Sequence, residues 1–318
     1  MTAPPGNLAD RPELADPRAH EDTALSLDAD GPPHDLLSEL LRSARLSGER
    51  IIAYAPPRSF SIGFAGIGSL HIIEEGDVVV RTDADQRAEH ASRGDVVLLP
   101  RGDSHHITDA AERDAGEPAR WLCGTFTIGD PQASHLLGSL PAVIVLRGAS
   151  GGPALEGLEV ARRMLLFEMQ SPSQGSAVMV ARILDLIFIQ ILRAWAAGAD
   201  PEPNWLAGAL DPQIGPALSA IHRGPGHDWT VEELARACCL SRSAFAARFV
   251  ARVGKPPATY LAHVRLDAAI DLLRDTTRPI ANIAQSVGYT SEAAFSRAFK
   301  NRYGTPPARW RRDVRGGR

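Results

Sequence analysis

The spacing of apolar positions changes along the 318 residues, and each change marks a different kind of element. Between residues 35 and 150 the apolar runs are short and rich in Val and Ile: Ile51–Tyr54, Ser61–Phe64, Leu70–Ile73, Asp77–Val80 and Asp95–Leu99. Gly, Pro and Asp separate them, the pattern of strands in a β-sandwich or barrel. Over 154–198 the period becomes helical. Leu155, Leu158, Ala161, Leu165 and Leu166 mark one helix, and Val180, Ile183, Leu184, Ile187, Ile191, Leu192 and Trp195 mark a longer one. These helices either close the sandwich or present a surface to a second copy. Beyond residue 211 short helical stretches alternate with tight turns.

That last region is internally repeated. Val231, Leu234, Ala235, Cys239 and Leu240 recur 49 residues later as Ile280, Ile283, Ala284, Gly288 and Tyr289. After one inserted residue, Ser241, Phe245, Phe249, Gly254, Pro256 and Pro257 recur 50 residues on as Ser291, Phe295, Phe299, Gly304, Pro306 and Pro307. In the first copy Thr230 and Glu233 have the spacing of a capping box. Ser241 caps a second helix whose Phe245 and Phe249 share one face, and Gly254 followed by Pro256-Pro257 ends it. The second copy does the same with Thr290 or Ser291 as cap. Helix, short turn, helix is the arrangement that places a second helix in a DNA major groove. An amphipathic helix through Tyr260, Leu261, Val264, Leu266, Ala269 and Leu273 joins the copies.

Charge agrees with this division. Residues 211–318 hold 17 Lys and Arg against 9 Asp and Glu, a surplus of 8, whereas the other 210 residues hold 17 against 29. The net −4 therefore hides a basic segment on an acidic body, suited to a polyanion. No apolar run approaches the roughly 20 residues that cross a bilayer, so no membrane partner is expected. The Pro- and Asp-rich residues 1–34 read as a disordered leader, not a signal peptide. Three cysteines give no disulfide framework, as expected of a cytoplasmic protein.

The residues Thr230–Ala235, Ser241–Phe249, Gly254–Pro257, Tyr260, Arg265, Ile283-Ala284, Val287–Tyr289, Phe295–Lys300 and Gly304–Pro307 resemble the DNA-binding domain of the AraC/XylS regulators. One residue departs from the pattern: Cys239 stands in the first turn, where Gly or another small residue is usual, and a Cβ there is strained if φ is positive. Gly94, Pro100, Gly102 and His105 match the second cupin motif, with Asp109 at its closing position. The first cupin motif keeps His71, Glu75 and Gly76 but not its paired histidines. The segment 35–150 resembles the cupin sensor fused to one branch of that family.

The resemblance implies an α+β chain. A cupin-like β-barrel or sandwich sensor (35–150) is followed by a helical pair expected to dimerise (151–198) and a linker (199–210). An all-α domain with two helix-turn-helix units completes it (211–318). It implies base or phosphate contacts from Arg242, Ser243, Ala246, Ala247 and Arg248 in the first recognition helix. In the second they come from Glu292, Ala293, Ser296, Arg297 and Lys300. Arg can bond guanine, Glu can accept from cytosine, and Ala can only touch a thymine methyl. The first helix should therefore read few bases directly and rely on Arg242 and Arg248 for phosphates.

The expected partners are promoter duplex DNA, a second copy of the chain, an unidentified small-molecule or oxidant effector, and RNA polymerase if the protein activates. No cofactor and no catalytic residue is expected. His71, His105 and Cys123 are the candidate effector pocket, and His71 and His105 the candidate ligands should the sensor hold a metal; His106 and His135 are further imidazoles of the region. Enzymatic cupins use three His and one Glu. One clear His per motif remains here, so the alternative, a cupin metalloenzyme with a DNA-binding tail, has the weaker footing.

Overall fold

The computed structural model describes residues 36–83, 88–110, 117–129, 137–138, 140–148, 153–198 and 203–316. The leader assigned to 1–34, His135 and part of the linker lie outside these residues.

Among the described residues a short helix, α1 (Leu36–Ala44), precedes nine strands: β1 (Leu46–Tyr54), β2 (Ser61–Phe64), β3 (Gly68–Glu75), β4 (Asp77–Thr82), β5 (Ala88–Ser92), β6 (Val96–Leu99), β7 (His105–Asp109), β8 (Arg120–Ile128) and β9 (Ile144–Leu146). They form two antiparallel sheets, in the orders β1-β8-β3-β6-β9 and β2-β7-β4-β5. Between the sheets lie Ile73, Val78, Val80, Val97, Leu99, Ile107, Trp121 and Cys123. The five-stranded sheet is covered on its other face too, which is why β6 reads Val-Val-Leu-Leu with every residue buried.

The cover is a helical hairpin, α2 (Pro153–Gln170) and α3 (Ser176–Ala196). Helix α3 lies on β1 and β8 because two glycines let it approach. A Cβ on Gly48 would stand 2.6 Å from the Ala181 carbonyl oxygen, and one on Gly124 would stand 2.6 Å from the Leu184 side chain. The Gly48 amide then donates to the Asp185 carboxylate at 2.8 Å. Ile183, Leu184, Ile187, Ile191 and Leu192, the core of the seam seen in the sequence, are buried against the sheet together with Phe188, whose ring meets Phe126. That seam is filled within the chain and cannot meet a second copy. The sequence showed that the helix has a wide apolar face but not which surface covers it.

The rest is helical: α4 (Trp205–Ala209), α5 (Gly215–Arg223), α6 (Val231–Ala237), α7 (Arg242–Val253), α8 (Pro257–Asp275), α9 (Ile280–Ser286), α10 (Glu292–Tyr303) and α11 (Pro307–Gly316). Asn204 caps α4 by accepting from the Ala207 amide at 2.9 Å, and Trp205 and Leu206 are buried. Residues 204–210, expected within the linker, thus belong structurally to the helical domain. Helix α1 packs on α4 and α5, with an ion pair of 3.5 Å between Glu39 and Arg223. Apolar contacts consequently run without a break from the outer face of the sheet into the first helix-turn-helix unit. The second unit has a separate core, of Leu266, Ala269, Ile270, Leu273, Ile283, Ala284, Val287, Phe295 and Phe299.

Candidate nucleic-acid interface and sensor site

Each helix-turn-helix unit is built by the local chemistry of its sequence. Thr230 Oγ1 accepts from the Glu233 amide while the Glu233 carboxylate accepts from the Thr230 amide, a complete capping box. Ser241 and Ser291 accept from the amides of Ala244 and Ala294 and start α7 and α10. Gly254 and Gly304 end those helices at φ of 79° and 76°. Cys239 in the first turn has φ of 54°, matching Gly288 at 85° in the second. The Cys Cβ pays the left-handed penalty, about 1–2 kcal/mol, that glycine avoids.

The inner faces of α7 and α10 bury Phe245 and Phe249, and Phe295 and Phe299. Opposite them, Arg242, Ser243, Ala247, Glu292, Ala293, Arg297 and Lys300 are exposed, while Ala246, Arg248 and Ser296 are half-buried. Arg242 bonds Glu232 at 2.8 Å across the exposed start of the helix. Arg248, expected at a phosphate, instead turns inward: its Nε and Nη2 donate to Asp211 at 3.0 and 2.8 Å, and Arg252 Nε donates to the same carboxylate at 3.0 Å. The second unit repeats this device. Asp267 of α8 accepts from Arg302 Nε and Nη2 at 3.0 and 2.8 Å and from the Tyr303 hydroxyl.

A side chain of the connecting helix bridges the two units. Arg265 of α8 donates to the carbonyl oxygens of Pro225 and His227, at 2.9 and 2.8 Å, in the loop that leads into the first unit. Its guanidinium lies beneath Gly288 of the second, where a Cβ would come within 2.8 Å. The sequence motif contained Arg265 and Gly288 without indicating that they touch. Asp211 and Asp267 carried no signal at all, because an acidic residue in a turn or on a helix reads as solvated until its partners are placed.

In the sensor, His71 and His105 are fully buried and face one another with Nε2 atoms 2.8 Å apart. Phe64 stacks on the His105 ring, and the thiol-bearing Cys123 lies opposite His71 in the β3–β8 register. Burial, then the charge of the neighbouring imidazole, lowers the His71 pKa well below the ordinary value, and burial lowers His105 too. Both rings are therefore neutral near pH 7, and their tautomers follow. His105 Nδ1 donates to the Asp103 carbonyl at 3.1 Å, which leaves its Nε2 to accept from His71 Nε2–H. His71 Nδ1 is then a bare lone pair with no partner.

It is not alone. Ser69 Oγ, Thr125 Oγ1 and Trp121 Nε1 are also buried without a hydrogen-bond partner. Ser69 and Thr125 pair across β3 and β8, as do His71 and Cys123, so these groups share the inner face of one sheet. An unpaired buried polar group costs about 1–3 kcal/mol, and of the four only the histidine carried a signal in the sequence. The missed signal is register: Ser69, His71 and Ile73 alternate with the residues under α3, so all three face inward.

The imidazoles bond each other, and among the described residues no three His, Cys, Asp or Glu are grouped to hold an ion. His106 points elsewhere, 3.4 Å from Asp83, with both side chains exposed. Burial pushes the Cys123 thiol up to about 12, so it is protonated at neutral pH.

Comparison with known proteins agrees with this architecture. Residues 35–197 match the family described as Cupin, and residues 234–313 the family described as Helix-turn-helix domain. The chain is 32% identical over 265 residues to the HTH-type transcriptional regulator AlkR of Acinetobacter baylyi, covering 76% of this chain and 86% of that one. It is 32% identical over 260 residues to a putative AraC-like transcription regulator of Streptomyces antibioticus, covering 76% and 85%. Over 222 residues it is 32% identical to the RCS-specific transcriptional activator RclR of Escherichia coli, covering 70% and 76%. Among the described residues no helix is long and apolar enough to cross a membrane. With a cupin sandwich ahead of two linked helix-turn-helix units, this chain belongs to the AraC-like family of transcription regulators.

Proposed function

We propose that the protein is a cytoplasmic, non-enzymatic homodimer that binds promoter DNA through α7 and α10 and adjusts that binding to a small molecule held in the cupin. The observation that carries the reading is the pair of recognition helices, capped alike and held at a set separation by α8 and Arg265, with their outer faces exposed on the basic segment. Such a pair suits two successive major-groove segments on one face of a duplex.

The dimer surface is assigned to the outer side of the hairpin in place of the filled seam. Val160, Met164 and Phe167 stand at i, i+4, i+7 on α2, and Val178, Met179 and Leu186 on α3; all six are exposed, Phe167 at 69%. Six of the eight exposed large apolar side chains among the described residues thus lie on one hairpin, the kind of concentration that marks an association surface. Phe167→Asp should turn a micromolar dimer into a folded monomer in sedimentation, with a melting temperature lowered only by the lost association and no longer dependent on protein concentration. In footprints, wild type should protect paired sites and the variant single ones, both weakening as salt rises because phosphate contacts release counterions. A wild-type monomer would remove the dimer. Binding insensitive to salt, or no protected sequence, would remove the DNA-binding reading.

The effector site is assigned to the inner face of the five-stranded sheet. A ligand with both hydrogen-bond donors and acceptors would satisfy the His71 lone pair, the Ser69 and Thr125 hydroxyls and the Trp121 N–H. Its effect on DNA requires different affinities for two arrangements of the chain, and the continuous core through α1 and α3 supplies a physical connection. Thr125→Val keeps the shape and removes one orphaned hydroxyl. The variant should melt higher than wild type when free. Polar compounds that raise the wild-type melting temperature in a thermal-shift screen should fail to raise that of the variant. Equal responses from both proteins would sink the assignment.

A further inference from the structure

The recognition helices share one kind of buried face and differ completely on the other. At positions 50 residues apart, the exposed side of α7 carries Ser243, Ala247, Val250 and Ala251, while that of α10 carries Ala293, Arg297, Lys300 and Asn301. The spacing i, i+4, i+7, i+8 places each set along one face of its helix. The face of α10 has a guanidinium, an ammonium and an amide to offer to base edges and phosphates. Beyond Ser243, the face of α7 offers only carbon.

Arginines are present on α7 but are drawn off it. Arg242 is paired with Glu232, and Arg248 and Arg252 with Asp211. Val250 is 43% exposed, and among the described residues from 211 onward it is the one large apolar side chain left open to solvent. At the matching place α10 has Lys300, as an exposed helix position normally would. An aliphatic face cannot bond a base edge, and the one apolar group that bases project into the major groove is the 5-methyl of thymine.

Resting on the reading of α7 as a recognition helix, we infer that Ala247, Val250 and Ala251 read thymine by contact with its methyl group. The half-site under α7 is then specified by apolar contact, and the half-site under α10 by hydrogen bonds. 5-Methylcytosine, which carries the same methyl at the same place, should be accepted by α7 better than cytosine.

The test uses the full-length chain and an operator selected from random duplexes. Footprints of wild type and Arg297→Ala assign its two halves. Each thymine is then replaced by deoxyuridine, which removes the methyl and leaves every hydrogen-bonding group. At one or more positions in the α7 half the exchange should weaken binding about fourfold, the worth of burying one methyl group. Within the α10 half, outside a thymine under Ala293, it should be without effect. With Val250→Ala, an exposed position where alanine favours the helix, the loss at one of those positions should fall below about twofold. Deoxyuridine tolerated throughout the α7 half with the footprint intact would overturn the inference and leave the DNA-binding reading standing. The same loss in both wild type and Val250→Ala would remove Val250 from it. Failure to select any sequence would overturn the reading and the inference together.

Discussion

Asp211→Ala should destabilise the first helix-turn-helix unit and weaken its half of the footprint, at a cost of about 1–3 kcal/mol, the usual consequence of leaving buried backbone amides without their acceptor. The Asp211 side chain is 1% exposed, yet it holds Arg248 and Arg252 and accepts from the amides of Gln213 and Ile214 at 2.9 and 3.3 Å. Burial alone would raise its pKa. The Arg248 bonds and the two amides outweigh burial and hold the pKa below the usual carboxylate value. Without the carboxylate, two guanidinium groups lose their counter-charge and two amides of the α4–α5 turn lose their shared acceptor, in a core continuous with the sensor. Asp211→Asn keeps an oxygen for the amides and should lose less. Arg242→Ala, which breaks only an exposed pair with Glu232, should change stability by less than about 1 kcal/mol. Urea unfolding of the three variants would check the order. A loss for Asp211→Ala no larger than for Arg242→Ala would show that the buried network carries no stability.

Much of this was legible in the sequence, and the remainder was hidden for definite physical reasons. Caps, turns and helix ends are local, so Thr230, Glu233, Ser241, Ser291 and the Gly–Pro-Pro stops could be placed from spacing alone, whereas the positive φ of Cys239 was only a condition attached to the family pattern. Strand runs such as Val96–Leu99 announced themselves because both faces are covered. Periodicity shows that a face is apolar but not what covers it, so the Val180–Trp195 seam could be offered to a second copy when it lies on β1 and β8. The direction of a charged side chain is likewise non-local. Nothing near Arg248 in sequence reveals that it will bond a carboxylate 37 residues earlier. The polar atoms inside the cupin depend on the register of β3 against β8, which no single strand displays.

Acid should weaken the DNA-binding domain well above the range in which carboxylates titrate. His222 of α5 is half-buried with its Nε2 2.7 Å from the Tyr260 hydroxyl of α8, joining α5 to the connecting helix. Burial lowers its pKa from 6.5 to about 4, against a smaller opposing pull from Asp267. Because the folded value is depressed, the stability it governs is intact above the unfolded pKa, near 6.5, and is lost as pH falls toward 4. In that window the unfolded chain binds a proton that the folded chain refuses. The full difference is worth about 3 kcal/mol, and His263, lowered by burial, adds to it with the same sign. Asp211 acts later, its contribution disappearing only as the carboxylate itself protonates. His222→Gln retains a hydrogen-bonding group for Tyr260 and cannot titrate. Between pH 7 and pH 4.5 the wild-type urea midpoint should fall, and that of the variant should fall distinctly less. Equal slopes for the two proteins would mean that His222 is protonated in the folded state without cost.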